Sequence, residues 1–409
     1  MSRVIPLKPA RAAQPVAAGE ASAASSEAPA FTVSPPLSLY IHFPWCVRKC
    51  PYCDFNSHTV RDGIPEAAYI DALIADLESS LPDIWGRRVQ TIFFGGGTPS
   101  LMTPEALDRL LTAVRARVNL SPEAEITLEA NPGTVEADRF KKFRDAGVNR
   151  LSIGVQSFDD RQLAALGRIH DNSEARRAID LALRTFERVN IDLMYALPQQ
   201  TLAEALSDLD TAIATGVSHL SCYHLTLEPN TPFAAQPPEL PDDDVSADMQ
   251  EAIESRLADA GFVHYETSAF ARPGQQCLHN LNYWQFGDYL GIGAGAHGKL
   301  SFHDRVRRDM RHKHPNAYLE GAARGDFVQE SRTVGTDELP FEFMMNAARL
   351  NDGFHVDLFA RHTGLALEQL MPRLLEAREA GLLALDSGRV KPTLRGRRFL
   401  NELLQRFLD

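Results

Sequence analysis

No stretch of this chain approaches the ~18–20 consecutive apolar residues of a membrane-spanning helix, so any contact with a lipid surface is expected to be peripheral. Positive charge is not in excess either. Over 409 residues, 42 Lys and Arg stand against 54 Asp and Glu, a net charge of −12 that argues against a nucleic-acid surface as the main business of the chain. Cysteine is scarce. The five present, three of them clustered, do not make a disulfide framework, and with no secretory signal expected, a reducing cytoplasm fits best. Residues 1–36 have few large apolar side chains and are rich in Ala, Pro and Ser, too little to offset the entropy of ordering, so they are expected to form a disordered tail.

What the chain does have is Cys46-Val47-Arg48-Lys49-Cys50-Pro51-Tyr52-Cys53, three thiols at spacing C-x3-C-x2-C just after an expected strand. Arg48, Lys49 and Pro51 make this a polar loop rather than a core segment, and thiolates gathered on a loop bind metal. Three do not complete a tetrahedral zinc site, and no second Cys or His pair follows at finger spacing. An iron–sulfur cubane held by three thiolates instead keeps one iron open to a small molecule.

From residue 37 to about 227, short apolar runs (37–43, 89–94, 125–129, 150–155, 189–194 and 219–225) alternate with amphipathic stretches (67–80, 104–118, 135–145, 173–186 and 202–214). That alternation predicts parallel βαβ units, enough for a partial (β/α)6-type barrel over 37–325. A helix over 245–260 and a strand from 262 follow a Pro- and Asp-rich crossing loop, and the glycine run 291–298 calls for close backbone approach. Beyond about 325 come helices (337–350, 356–361, 366–380) and a hairpin (382–386 and 389–392 around Ser387-Gly388), an α+β winged-helix-like module over 326–409. Lys391, Arg395, Arg397 and Arg398 are basic, but with the acidic whole a lid or docking role is preferred to nucleic-acid binding.

The second strand runs into Gly95-Gly96-Gly97-Thr98-Pro99, at the carboxyl end where parallel barrels keep their sites. No Gly-Lys-Ser/Thr follows, so this is not a phosphate loop; it is either a tight turn or a grip on an ammonium or carboxylate. Other strand ends bring Glu129, Gln156 and Asp192, with Arg168 in a following loop. A carboxylate such as Asp192 within an apolar run needs a partner or a ligand hydroxyl. Each alone reads equally as a structural salt bridge, but their repetition favours a polar ligand across the barrel mouth.

These residues resemble the radical S-adenosylmethionine superfamily, on Cys46, Cys50, Cys53, Tyr52 and the loop 95–99. Tyr40-Ile41-His42-Phe43-Pro44-Trp45-Cys46, Gly95 to Ser100, Glu129-Ala130-Asn131-Pro132 and Gly154 to Phe158 narrow the resemblance to the oxygen-independent coproporphyrinogen III oxidase family, from about residue 37 to the end. The resemblance implies a 4Fe-4S cluster on Cys46, Cys50 and Cys53, with S-adenosylmethionine on its open iron. It makes Tyr40, Gly96, Gly97, Thr98, Glu129, Gln156, Arg168 and Asp192 the S-adenosylmethionine contacts. Residue chemistry agrees, since a carboxylate suits ribose hydroxyls and an arginine suits the methionyl carboxylate.

The sequence departs from the oxidases in two places: Phe55 stands where they carry a fourth cysteine, and the segment 1–36 replaces their ordered N-terminus. Both departures resemble the paralogous haem chaperones of the HemW type. So does His279-Asn280-Leu281-Asn282-Tyr283-Trp284, which matches the H-N-x-x-Y-W motif associated with haem in that branch, making His279, Tyr283 and Trp284 the haem candidates. The plainer alternative is a core strand whose aromatics pack under the C-terminal module. Cys222 reads as a packed thiol; Cys277 lies two residues from His279, but no C-x-x-C-H is present, so a thioether haem is not indicated.

The expected function is haem binding and delivery to acceptor proteins, respiratory ones at the cytoplasmic membrane face, with a homodimer as a further expectation and no catalytic residue assigned. The alternative is an enzyme, coproporphyrinogen III dehydrogenase. A zinc-dependent interaction module is the third reading.

Overall fold

The six expected strands are mostly buried, and where their sequences alternate, the polar residues Thr127, Ser152, Asn190 and Ser221 are buried too. In the computed structural model, which describes residues 28–61, 63–134 and 137–408, they are β1 (Leu37–Phe43), β2 (Arg88–Gly96), β3 (Asn119–Ala130), β4 (Arg150–Gln156), β5 (Arg188–Tyr195) and β6 (His219–His224). They pair in parallel in chain order. The helices between them include Glu66–Ile84, Pro104–Arg117, Ala137–Ala146, Asn172–Thr185 and Leu202–Ala214. Asp171 and Thr201 open the last two with full capping boxes, each satisfying orphan amides of the first turn. The first two residues of the helix expected over 135–145 lie outside the described residues.

The partial barrel is extended at both edges into a twelve-stranded sheet. On the outer side of β1, Asp288–Ile292 pairs in parallel and is followed by antiparallel His297–Ser301, Val306–Arg311 and Val328–Thr333. Beyond β6, Ala269–Ala271 and Val263–Glu266 are antiparallel too, so the strand expected from residue 262 ends the barrel instead of continuing it. The glycine run makes the close approach its composition demanded: a Cβ on Gly295 would lie 2.1 Å from Nδ2 of Asn56, in the loop that follows the cysteines. That Nδ2 donates to the carbonyl of Ala294 at 2.9 Å, tying the run to the cysteine loop.

A second apolar cluster gathers the C-terminal helices Leu339–Ala347, Asp357–Thr363 and Met371–Glu379 with the hairpin Leu383–Asp386 and Arg389–Pro392. Ser387 and Gly388 both have positive φ, the turn that suits a two-residue hairpin. Phe286 and Val306 of the barrel extension belong to the same cluster, so the two parts share a core. Two short helices, Leu394–Arg398 and Leu400–Gln405, were not expected from the sequence. The basic residues Lys391, Arg395 and Arg398 pair with Asp352, Glu402 and Glu254 at 3.1, 3.6 and 2.9 Å.

Two expectations are corrected. The tail expected over 1–36 does not extend to its last residues: 1–27 lie outside the described residues, but Ala30 N donates to Gly364 O at 2.9 Å and Arg87 Nη2 to Pro35 O at 2.6 Å. Phe31, the segment's one aromatic, packs on the C-terminal cluster and supplies the burial that composition alone had discounted. The plainer reading of residues 279–284 as a strand fails as well, because Leu278–Trp284 is helical, which puts His279 and Tyr283 one turn apart on one face.

Candidate functional site

Two glycines bring the second strand's loop against the cysteine segment. Gly96 has φ 114°, and a Cβ there would fall 2.6 Å from the His42 ring; one on Gly97 would fall 2.5 Å from the Trp45 carbonyl oxygen. Without Cβ atoms the backbones close up, and Gly97 N donates to Phe43 O at 2.7 Å and Thr98 N to Trp45 O at 2.8 Å. The loop thus lies beside the thiols because nothing larger fits between.

Both border a cavity of about 630 Å³ at the carboxyl ends of the strands, the end where parallel barrels bind ligands. It is lined by Cys46, Cys50, Cys53, Gly96, Gly97, Thr98, Glu129, Gln156, Arg168 and Asp192. Of the expected S-adenosylmethionine contacts, Tyr40 alone is not on its wall; Tyr40 stacks on Phe93 and its hydroxyl meets His42 Nδ1 at 3.0 Å. Among the described residues, no three His, Cys, Asp or Glu side chains are gathered tightly enough to grip a single ion.

Arg168 is the organiser. Its Nη1 points to Cys50 Sγ at 3.6 Å, while Nη2 donates to Asn131 Oδ1 at 2.6 Å and Gly154 O at 2.5 Å. Asn131 Nδ2 in turn donates to Thr98 Oγ1 at 2.9 Å, so one hydrogen-bonded chain crosses from the thiols to the glycine loop. Sequence reasoning quoted Asn131 only within a motif. Its position directly after β3, two residues beyond Glu129, is the signal that marks it.

The two carboxylates are held differently. Burial, reinforced by the charge of Asp192, pushes the Glu129 carboxyl up to about 8. Asp192 is also raised by burial, but it accepts from Asn190 Nδ2 at 2.7 Å and Ser152 Oγ at 3.2 Å. Burial likewise raises the thiols of Cys46 and Cys53. Gln156 carries φ 71°, left-handed and costly for a residue with a side chain.

The turn behind Gln156 is fastened from helix Leu202–Ala214, where the buried Asp208 accepts from Ser157 Oγ at 2.6 Å and Phe158 N at 2.7 Å. Burial, with Asp159 and Glu204 nearby, lifts its carboxyl to about 6, against about 3.9 unfolded. A raised folded value means that its stabilisation is complete below pH ~4 and is lost as pH rises through ~6, about 3 kcal/mol in all. Asp208→Asn removes that dependence. Urea titrations are expected to show the variant gaining on the parent by up to about 3 kcal/mol between pH 4 and pH 7, whereas a constant difference would contradict the assignment.

The haem candidates are not among the residues that line this cavity. His279 is 1% exposed, its Nδ1 bonded to Thr91 Oγ1 at 2.7 Å and its Nε2 to Tyr283 OH at 3.0 Å. Burial and the charge of Arg150 push this imidazole down to about 3, so it is neutral. Trp284 lies under the guanidinium of Arg349, 4.3 Å from its ring centre. Cys277 is fully buried, donates its thiol to Glu125 Oε1 at 3.5 Å and is pushed up to about 12 by burial, the state of an inert thiol. Cys222 is buried in β6 as a packed thiol. Arg349, contributed to the cavity by the C-terminal part, escaped the sequence reading.

Comparison with known proteins places these features in context. The radical SAM superfamily profile matches residues 40–212, and that of the HemN C-terminal domain matches 336–399. The chain is 51% identical over 379 residues to the heme chaperone HemW of Escherichia coli (strain K12), covering 91% of this chain and 98% of the relative. It is 48% identical over 380 residues to that of Haemophilus influenzae, with the same coverage of 91% and 98%. Among solved structures, coproporphyrinogen III oxidase (HemN) from Escherichia coli, described as a radical SAM enzyme, superposes with a TM-score of 0.78 over 91% of this chain and 90% of that one. At 24% identity that likeness speaks to the fold.

Proposed function

Since the chain belongs to the family of the heme chaperone HemW, we propose that it binds haem and delivers it to acceptor proteins. Cys46, Cys50 and Cys53 would hold a 4Fe-4S cluster, and Gly96, Gly97, Thr98, Glu129, Gln156, Arg168 and Asp192 would hold S-adenosylmethionine beside it. The observation that carries the cofactor part is the convergence of these side chains on one cavity. When bound, the pair supplies a reducible metal centre with a small-molecule ligand on its open iron.

The chain's own residues fit that content. Arg168 offers charged donors towards Cys50 Sγ, which suits a thiolate rather than a thiol. Asp192 presents an acceptor pair already oriented by Asn190 and Ser152, which suits two vicinal hydroxyls. A homodimer and a seat at the cytoplasmic membrane face belong to the same proposal; among the described residues no helix is long and apolar enough to cross a membrane.

The haem part rests on the relatives and on His279, Tyr283 and Trp284. His279 is neutral, the form that ligates iron, but both ring nitrogens are engaged. Ligation through Nε2 therefore requires the Tyr283 hydroxyl to leave first. In a haem titration, His279→Ala is expected to weaken binding at least tenfold and shift the Soret band; an unchanged band and affinity would return His279 to a structural role. The same preparation, given coproporphyrinogen III, S-adenosylmethionine and reductant, is expected to form no stoichiometric protoporphyrinogen, and its formation would replace chaperone by enzyme.

A further inference from the structure

We infer that Arg349 grips a carboxylate of the bound porphyrin over the face of Trp284, at the edge of the cysteine-lined cavity. This rests on the haem reading above and adds to it the group that is recognised and the residue that recognises it.

Arg349 follows helix Leu339–Ala347 of the C-terminal part, yet its backbone is stitched to the barrel's edge strand. Thr267 N donates to Arg349 O at 3.1 Å, Asn351 N to Tyr265 O at 3.1 Å and Asn351 Nδ2 to His264 O at 3.0 Å. The turn thereby brings Arg349 onto the wall of the cavity that the thiols also line, and its guanidinium over the Trp284 ring at 4.3 Å.

At that place Arg349 is only loosely paired within the protein. The nearest carboxylate, Glu266, is buried and stands 3.5 Å from Arg349 Nη2, longer than a charge-assisted hydrogen bond of about 2.7–2.9 Å. Arg349 Nε and Trp284 Nε1 are both buried and make no hydrogen bond within the described residues. Glu266 Oε2 is likewise buried without a hydrogen bond, so the long Arg349–Glu266 pair leaves the guanidinium unsaturated where it borders the cavity. A guanidinium presents a planar fork that matches a carboxylate, and the indole beneath it offers a flat apolar face. A ligand with a carboxylate on a flat apolar body satisfies both, and haem carries two such carboxylates.

The test compares haem with its dimethyl ester, in which the carboxylates are blocked, by Soret titration of the full chain and of Arg349→Gln and Arg349→Lys. The parent is expected to prefer haem at least tenfold, Arg349→Gln to bind both at the affinity of the ester, and Arg349→Lys to recover part of the preference. Equal binding of haem and ester by the parent, or a preference that survives in Arg349→Gln, overturns this inference while leaving haem binding intact. A parent that binds neither overturns the haem reading itself. Unchanged melting temperature and iron content in the variants guard against a folding defect, and the parent's own preference is measured without any variant.

Discussion

Cys50→Ser protein, reconstituted anaerobically, is expected to hold almost no iron or sulfide, where the parent holds about four of each per chain. The thiol sits mid-loop, under Arg168 Nη1, and a serine hydroxyl is too weakly acidic and too hard a ligand to replace a thiolate on iron. The loss is not expected to come from unfolding, because the loop is tied down by bonds that do not involve Cys50's sulfur. Lys49 Nζ donates to Phe55 O at 3.0 Å, His58 N to Pro44 O at 2.7 Å and Val60 N to Cys46 O at 2.9 Å. Melting of the unreconstituted variant should therefore match that of the unreconstituted parent. Zinc without sulfide in the parent would sink the cluster and revive the zinc module.

The second large effect concerns stability. Asp288, at the start of the strand that pairs with β1, has a fully buried side chain and accepts from Lys299 Nζ at 2.9 Å, Ser301 N at 2.8 Å and Ser301 Oγ at 2.8 Å, with Arg87 Nη1 at 2.8 Å. Burial alone would raise its carboxyl, but Lys299 and Arg87 outweigh burial and hold it below the usual carboxylate range. Removing it in Asp288→Ala leaves Lys299, itself 1% exposed, as an uncompensated charge beneath Phe286. The expected loss is about 3–5 kcal/mol, read from urea unfolding. Lys299→Met should cost less than half of that, because Asp288 keeps Arg87 and both bonds from Ser301. Equal losses, or a loss below about 1 kcal/mol in Asp288→Ala, would show that the buried network does not hold this junction together.

That junction was invisible in the sequence. Asp288, Lys299 and Arg87 stand in three separate strand or loop contexts, and each alone is an ordinary charged residue. The same holds for Arg349, which reaches the cavity only because the turn after its helix is sewn to the strand Val263–Glu266. His279 looked like an available ligand until the fold placed Thr91 on one ring nitrogen and Tyr283 on the other.

Local rules carried the rest. The alternation of apolar runs and amphipathic helices determined the βα units, because side-chain period and burial on both faces are properties of a few consecutive residues. The spacing of Cys46, Cys50 and Cys53 and the glycines at 95–97 determined that a thiol loop would meet a Cβ-free loop, since both sit at strand ends that a parallel sheet brings to one edge. The tertiary structure alone decided which charges neutralise one another, that Phe31 packs on the C-terminal cluster, and that the imidazole of His279 is closed off. Those outcomes need partners far off in the chain, Thr91 for His279 and Arg87 for Asp288, and no local pattern encodes which buried donor will find which acceptor.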